Sequence, residues 1–363
     1  MKAEILKTHC DAETATLSLP SHSEHCITVQ ASETREMSHS LRDAAARFNA
    51  TILSQFVFAG SHHYDEFSRE MGQTDWPVVW LQGDACKDGD LYSMQAVALS
   101  GLTPQPIHLN GRDMGFTYED ETARYCRLRG VIPQDLSASR AEQTRSAFET
   151  MDAALKLNGF RFTDTVRTWI YLDRLLDWYD DFNIVRTQYF NETGIFDHMV
   201  PASTGIGAGN QYGAAIMMDV LAVQPKDNRL KIQEVISPLQ NPALDYKSSF
   251  ARAVEMAYPT HKNLLISGTA SIDPAGKTVH LDDPEKQIRL TMDVVNAILE
   301  SRGMGWGDLF RGIAYFKDMA YQPVYEKIAA ELGIPRFPLA ISHADVCRHD
   351  LLFEIEVDAV KIA

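Results

Sequence analysis

Cysteine, long apolar runs and positive charge are all scarce in this sequence. The five cysteines (Cys10, Cys26, Cys86, Cys126 and Cys347) make an odd count with no Cys-x-x-Cys spacing. That argues against a disulfide framework or a zinc site and for reduced, mostly structural thiols. No apolar stretch approaches the roughly 20 residues that span a bilayer. The first residues do not follow the charged-then-apolar pattern of a secretion signal, so a cytoplasmic location is expected. Lys and Arg number 34 against 49 Asp and Glu, a formal charge of −15. Such a balance disfavours nucleic-acid backbones and anionic membranes as partners. A small anionic substrate remains compatible with it, because a pocket can be locally basic. No cofactor and no metal is expected.

What is present is a globular composition, 45% apolar and 23% charged over 363 residues, enough for two or three domains. Residues 1–104 are the hardest to read. Strands are expected at 26–30, 50–58, 77–81 and 91–99, a short helix at 40–48, and turns at 59–61 and 87–90. His62 and His63, read on a strand, face opposite ways and suit a surface better than a metal site.

From Tyr125 onward the chain repeats itself. Gln143 and Gln287 are 144 positions apart, and so are Arg145 and Arg289, Gly159 and Gly303, Asp164 and Asp308, Arg167 and Arg311, and Tyr171 and Tyr315. In the first copy a strand at 125–130 precedes a helix from about Ser139. Its positions Ala141, Thr144, Phe148, Met151 and Leu155 make one face, and Gly159 ends it. A strand at 163–172, a helix at 178–190, a turn at 201–207 and a buried strand at 213–223 follow. The second copy has strands at 264–268 and 310–316, helices at 284–299 and 322–332, and a turn at Pro338 into the last strand. Each copy can lay two helices on one face of a mixed sheet.

That last strand carries Leu352, Glu354, Glu356 and Asp358 on one face and Phe353, Ile355, Val357 and Ala359 on the other. A row of acids on a strand is either a wet edge or a carboxylate placed for chemistry, and the strand alone leaves both open.

The stretch 264–272, the helix containing Gln287, and 353–359 resemble the Rid family. In that family the module is a chorismate-mutase-like α+β fold, usually trimeric, with active sites in clefts between subunits. The likeness covers residues from about 119 to 363, twice. It implies a first module at 105–225, a second at 226–363 carrying the catalytic strand, and an N-terminal extension or degenerate α+β region at 1–104. The assembly is then a homotrimer or a pseudo-symmetric monomer.

Longer motifs resemble the chorismatase branch: Arg167 to Trp169, Trp178 to Asn183, Val185 to Thr187, Pro201 to Gly207, Val346 to Arg348 and Asp350 to Glu356. Chorismatases hydrolyse the enolpyruvyl ether of chorismate to pyruvate and a dihydroxycyclohexadiene carboxylate or a hydroxybenzoate. Imine-hydrolysing Rid proteins place an arginine just after a Phe-Pro pair. Here Phe337 and Pro338 are followed by Leu339 and Ala340, which argues against ordinary Rid chemistry. The alternatives are a Rid-type imine or enamine hydrolase acting on another small carboxylate, and a non-catalytic small-molecule binder.

Enolpyruvyl ether cleavage begins most easily with protonation of the methylene carbon. That step needs an acid still protonated near neutrality. The resemblance puts Glu354 in the pocket as that acid. Glu356 is either the acid itself or the charge that raises its neighbour's pKa. A dianionic substrate needs cations. Arg167, inside an apolar strand, is a carboxylate clamp or the partner of Asp164 or Asp173, and Arg311 has the same two readings. Arg348 is a second carboxylate contact or an internal ion pair. Tyr212 is a hydrogen-bond donor to substrate or a core residue. Gly268 and Ala270 would bring backbone amides to a ligand. By the resemblance, His343 lies near the pocket where the products diverge. Asp180 and Asp181 read as surface, and Trp178, Tyr179 and Phe182 as core.

Overall fold

The computed structural model describes residues 4–9, 12–30, 33–83, 91–246 and 248–363. Cys10, Cys86 and the turn expected at 87–90 lie outside them. The first unit consists of β1 (Glu4–His9), β2 (Glu13–Ser18), β3 (Ser23–Val29), α1 (Thr34–Arg47), β4 (Thr51–Ala59), α2 (Tyr64–Met71), β5 (Val78–Gly83) and β6 (Leu91–Ser100). The second consists of β7 (Gln105–Leu109), β8 (Arg112–Glu119), β9 (Ala123–Val131), α3 (Arg140–Leu157), β10 (Thr165–Leu172), α4 (Tyr179–Thr193), β11 (Ala202–Asn210) and β12 (Ile216–Pro225). The third consists of β13 (Lys231–Val235), β14 (Ala253–Ala257), β15 (His261–Ala270), α5 (Pro284–Ser301), β16 (Leu309–Phe316), α6 (Gln322–Glu331), β17 (Leu339–His343) and β18 (Phe353–Ile362).

The same arrangement of eight elements therefore occurs three times, where the sequence shows two copies and an extension. Within each unit the strands lie in the order first, second, third, sixth, fourth, fifth, and the fourth and fifth run parallel. The sheets of the first two units join edge to edge, β5 pairing antiparallel with β11 through Ala208 opposite Gly83 and Asn210 opposite Leu81. The third sheet is separate, and single bridges tie it to the second unit at Ala202 with Ala251 and Gly207 with Asp345. Among the described residues no helix is long and apolar enough to cross a membrane.

Local chemistry explains the helices. Ser139 Oγ accepts from the Glu142 amide and the Glu142 carboxylate accepts from the Ser139 amide, a capping box that starts α3. Asp283 caps α5 and Pro284 supplies its first turn. Along α5, Gln287, Ile288, Thr291, Met292, Val295, Ile298 and Leu299 are buried three and four apart and cover one face of the third sheet.

The opposite faces of the three sheets meet in one shared core. Phe56, Phe58 and Leu81 come from the first unit, Trp169, Tyr171 and Met217 from the second, and Leu265, Ile313 and Tyr315 from the third. Two stretches read as turns from Pro201 and Pro338 are instead strands, β11 and β17. His62, exposed, and His63, half-buried, sit on a short 3₁₀ turn ahead of α2, with ring centroids 4.0 Å apart.

Candidate active site

β18 is a central strand, paired with β15 on one side and β16 on the other. Its acidic face is therefore not a wet edge. Phe353, Ile355, Val357 and Ala359 pack under the helices. Glu354 and Glu356 point into the junction of the second and third units and are 4% and 0% exposed.

The two glutamates meet different surroundings. Glu356 Oε2 accepts from Arg167 Nη2 at 2.9 Å. Its Oε1 accepts from Trp169 Nε1 at 2.7 Å and from Arg311 Nη1 at 2.9 Å. Burial alone would push its carboxyl up, but Arg167, Arg311 and bonds from Thr204 and Trp169 hold it below the usual carboxylate range. Among the described residues no hydrogen bond or ion pair engages the Glu354 carboxyl. Burial pushes that group up, and the neighbouring Glu356 charge pushes it further. Arg167 and Arg252 oppose the rise only in part, and its pKa stands at about 8. Glu354 thus keeps its proton at neutral pH while Glu356 stays ionised.

A bulge in β15 makes room for the acid. The register of β15 against β18 shifts between Ile266 and Thr269, and Gly268 lies in that shift. A Cβ on Gly268 would fall 1.9 Å from Glu354 Oε1 and 3.2 Å from Thr204 Cγ2. The Gly268 amide donates to Thr204 Oγ1 at 3.1 Å. Gly268 therefore accommodates the Glu354 side chain rather than offering its amide to a ligand. Ala270 pairs with Glu354 in the ladder, and its carbonyl accepts from Gln240 Nε2 at 3.1 Å. Its methyl packs with Ile272, Val346 and Leu351.

A cleft of about 590 Å³ opens between α4 and the third unit, lined by Tyr179, Asn183, Thr187, Ser248, Cys347 and Arg348 among others. Glu354 does not line it but lies close enough to two of its lining residues, Tyr179 and Cys347, to act on their charge. Burial, with the Glu354 charge contributing, pushes the Cys347 thiol up to about 12. Burial, with Cys347 and Glu354 contributing, also raises the Tyr179 phenol. Both therefore face the cleft as neutral groups. A Cβ on Gly205 would meet the Tyr179 hydroxyl at 3.9 Å, so β11 runs beneath this tyrosine. Thr187 Oγ1 and Ser249 Oγ lie 2.8 Å apart and join α4 to the third unit. Buried Arg252 donates to the Asn241 carbonyl at 3.1 Å. Arg348 Nη1 reaches Thr278 Oγ1 at 3.3 Å.

Of the residues singled out from the sequence, Glu354, Glu356, Arg348, Gly268 and Ala270 come together here. Others are placed differently. Arg167 is fully enclosed and reaches across the unit boundary to Glu356, not to Asp164 or Asp173. Arg311 is buried between Glu356 and Asp358. Neither stands free on the cleft wall. Tyr212 is 37% exposed under the Arg112 guanidinium, 4.3 Å from ring to Cζ. It follows β11's far end, and Thr204 to Asn210 alone spans roughly 20 Å of strand. His343 pairs across from Phe316, which pairs with Phe353. Register parity therefore turns its ring to the helix face, away from Glu354, where Nε2 lies 3.1 Å from the Lys317 carbonyl.

Sequence reasoning took Tyr179 for core and Cys347 for a structural thiol, and it passed over Arg252; Asp180 is at the surface, as read, on the rim of this cleft. The spacing of Tyr179, Asn183 and Thr187 on one helical face was the available signal, and it reads equally as core packing.

The register also identifies what stands at the acid's position in the other units. Tyr315 pairs with Glu354, Tyr171 with Met217 and Phe58 with Ser93. Ser93 Oγ is held by the backbone of Ile341, donating to its carbonyl and accepting from its amide, both at 2.8 Å.

No family model matches the chain. A chorismatase of Streptomyces hygroscopicus is 30% identical over 277 residues, covering 68% of this chain and 75% of that protein. A 3-hydroxybenzoate synthase of the same species is 26% identical over 274 residues, covering 68% of this chain and 77% of that protein. A crystal structure of a chorismatase matches with a TM-score of 0.67 at 19% identity, over 94% of this chain and 100% of the other, a likeness of fold.

Proposed function

The chain belongs to the chorismatase family, and on that premise we propose that it hydrolyses the enolpyruvyl ether of chorismate, with Glu354 as the proton donor. The observation that carries this reading is a buried acid with a pKa of about 8, beside a cleft and next to a glutamate that stays charged.

Glu354 gives its proton to the methylene carbon, leaving an oxocarbenium ion on the former enol carbon. Water adds to that carbon and releases a proton, which restores Glu354. The resulting hemiketal breaks its bond to the ring oxygen. The ring leaves as an alcohol and the side chain as pyruvate. An internal hydroxyl in place of water would lead to the alternative, aromatic product. Arg348 on the cleft wall, with Arg252 behind it, supplies positive charge for the substrate carboxylates. Arg167 and Arg311 act on the substrate only through Glu356.

The test is pyruvate release from chorismate by the wild-type chain and by Glu354→Gln. The wild type should turn over, and the variant should fold and lose at least ~100-fold in kcat. Turnover by Glu354→Gln at the wild-type rate would overturn the assignment of the acid. Hydrolysis of 2-iminopropionate without action on chorismate would overturn the substrate.

A further inference from the structure

Glu356 is more than a neighbour of the proton donor. It is a point at which the second unit grips the acidic strand of the third. Arg167 Nη2 donates both to Glu356 Oε2, at 2.9 Å, and to Thr204 Oγ1, at 2.6 Å. Trp169 Nε1 donates to Oε1 at 2.7 Å. The indole is held in turn by guanidiniums over its ring, Arg129 at 4.7 Å, Arg167 at 4.9 Å and Arg311 at 5.6 Å. Arg129 is anchored by Asp219 at 2.9 Å. Thr204 closes the circle, since it also receives the amide of Gly268, against which Glu354 rests.

We infer that Arg167 and Trp169, on β10 of the second unit, are positioning residues for the proton donor on the third: they fix the Glu356 carboxylate beside Glu354 and so set the charges that the donor faces. This rests on the reading of Glu354 as the donor. The groups facing Glu354 are Glu356 on its own strand, Arg167 from β10, Tyr315 from β16, Tyr179 from α4, Arg252 from the segment before β14, and Cys347 from the loop before β18. Tyr179, Tyr315 and Cys347 are neutral in the working range, because burial raises each of them. The charge balance at Glu354 is therefore set by Glu356 against Arg167 and Arg252.

The signs give the test. Removing the Glu356 charge lets Glu354 ionise more easily, whereas removing the Arg167 charge makes ionisation harder. The alkaline limb of kcat/KM should stand near pH 8 in the wild type. Each variant is normalised to its own rate at pH 5.5. Glu356→Gln should then move the limb down by about one pH unit, a fall of about fivefold relative to the wild type in normalised kcat/KM at pH 8. Arg167→Gln should move it up. A residue needed only for folding would lower the rate at every pH and leave both limbs in place, and that result would overturn the inference.

If Glu354→Gln is inactive and neither limb moves, this inference fails and the assignment of the acid stands. If Glu354→Gln is active, the assignment itself fails. Should either positioning variant not fold, carboxyl 13C NMR of the wild type decides, with the Glu354 signal assigned through Glu354→Gln. Glu356 ionised from pH 5 to 9, with Glu354 titrating near 8, supports the inference. The proton residing on Glu356 at pH 7 overturns it.

Discussion

Glu354 and Glu356 stand two positions apart on one face of one strand yet hold opposite protonation states. The difference lies in partners, since both are buried. Glu356 has two guanidiniums and an indole N–H; Glu354 has a glycine and a space. An acid kept neutral in this way costs stability. In the unfolded chain it titrates near 4.5, and in the folded chain near 8. Between those values the native state holds a proton that the unfolded state has released, so stability falls as pH rises through the window. Glu354→Gln removes that loss. It should be more stable than the wild type by ~3 kcal/mol at pH 7 and nearly equal to it below pH 4.5. Urea denaturation at pH 4 and pH 8 checks this, and a variant less stable than the wild type at pH 8 would sink it. The row of three carboxylates was legible from alternation, and the choice of Glu354 among them rested on the family resemblance. Arg167's partner was not. Glu356 lies 189 positions away, and only the fold brings the second unit's strand against the third's.

At the scale of elements, β15 and β18 make the site together. The bulge at Gly268 is what lets a full glutamate side chain lie flat between two strands and Thr204. Gly268→Val would place two methyl groups where the carboxyl rests and displace it. With the donor moved by an ångström or more, kcat should fall by ~100-fold or beyond. Near-UV circular dichroism should remain native-like, and stopped assays for pyruvate give the rate. Helices α3 to α6 were legible from their apolar spacing and caps. β11 and β17 were not, because short strands that follow proline carry the same residues as turns. The first unit was obscured for another reason. Its strand β4 is buried on both faces, with Ser54 and Gln55 buried among apolar residues, so Ala50 to Phe58 shows no alternation to mark a face.

At the scale of the molecule, three units of one architecture enclose a single core, and one of them holds the acid. Met217 and Ser93 occupy the matching register positions. Neither can donate a proton to carbon near neutrality. Calorimetric titration of Glu354→Gln with chorismate should therefore give one site per chain, and a stoichiometry of two or three would contradict the register argument. The cleft is also built from two units, α4 of the second and the loop before β18 of the third. Neither unit alone has both walls.

The covalent linkage of the three units has a consequence for what the core can tolerate. In a ring of three identical subunits every substitution appears in triplicate, and a buried, unpartnered acid would have to be accommodated three times around one axis. A single chain lifts that constraint. Methionine and serine can fill two of the equivalent places with side chains that suit a core, while the third keeps a group the core would otherwise reject. Broken symmetry is then what makes a costly residue supportable, because its penalty is incurred once in a molecule large enough to absorb it.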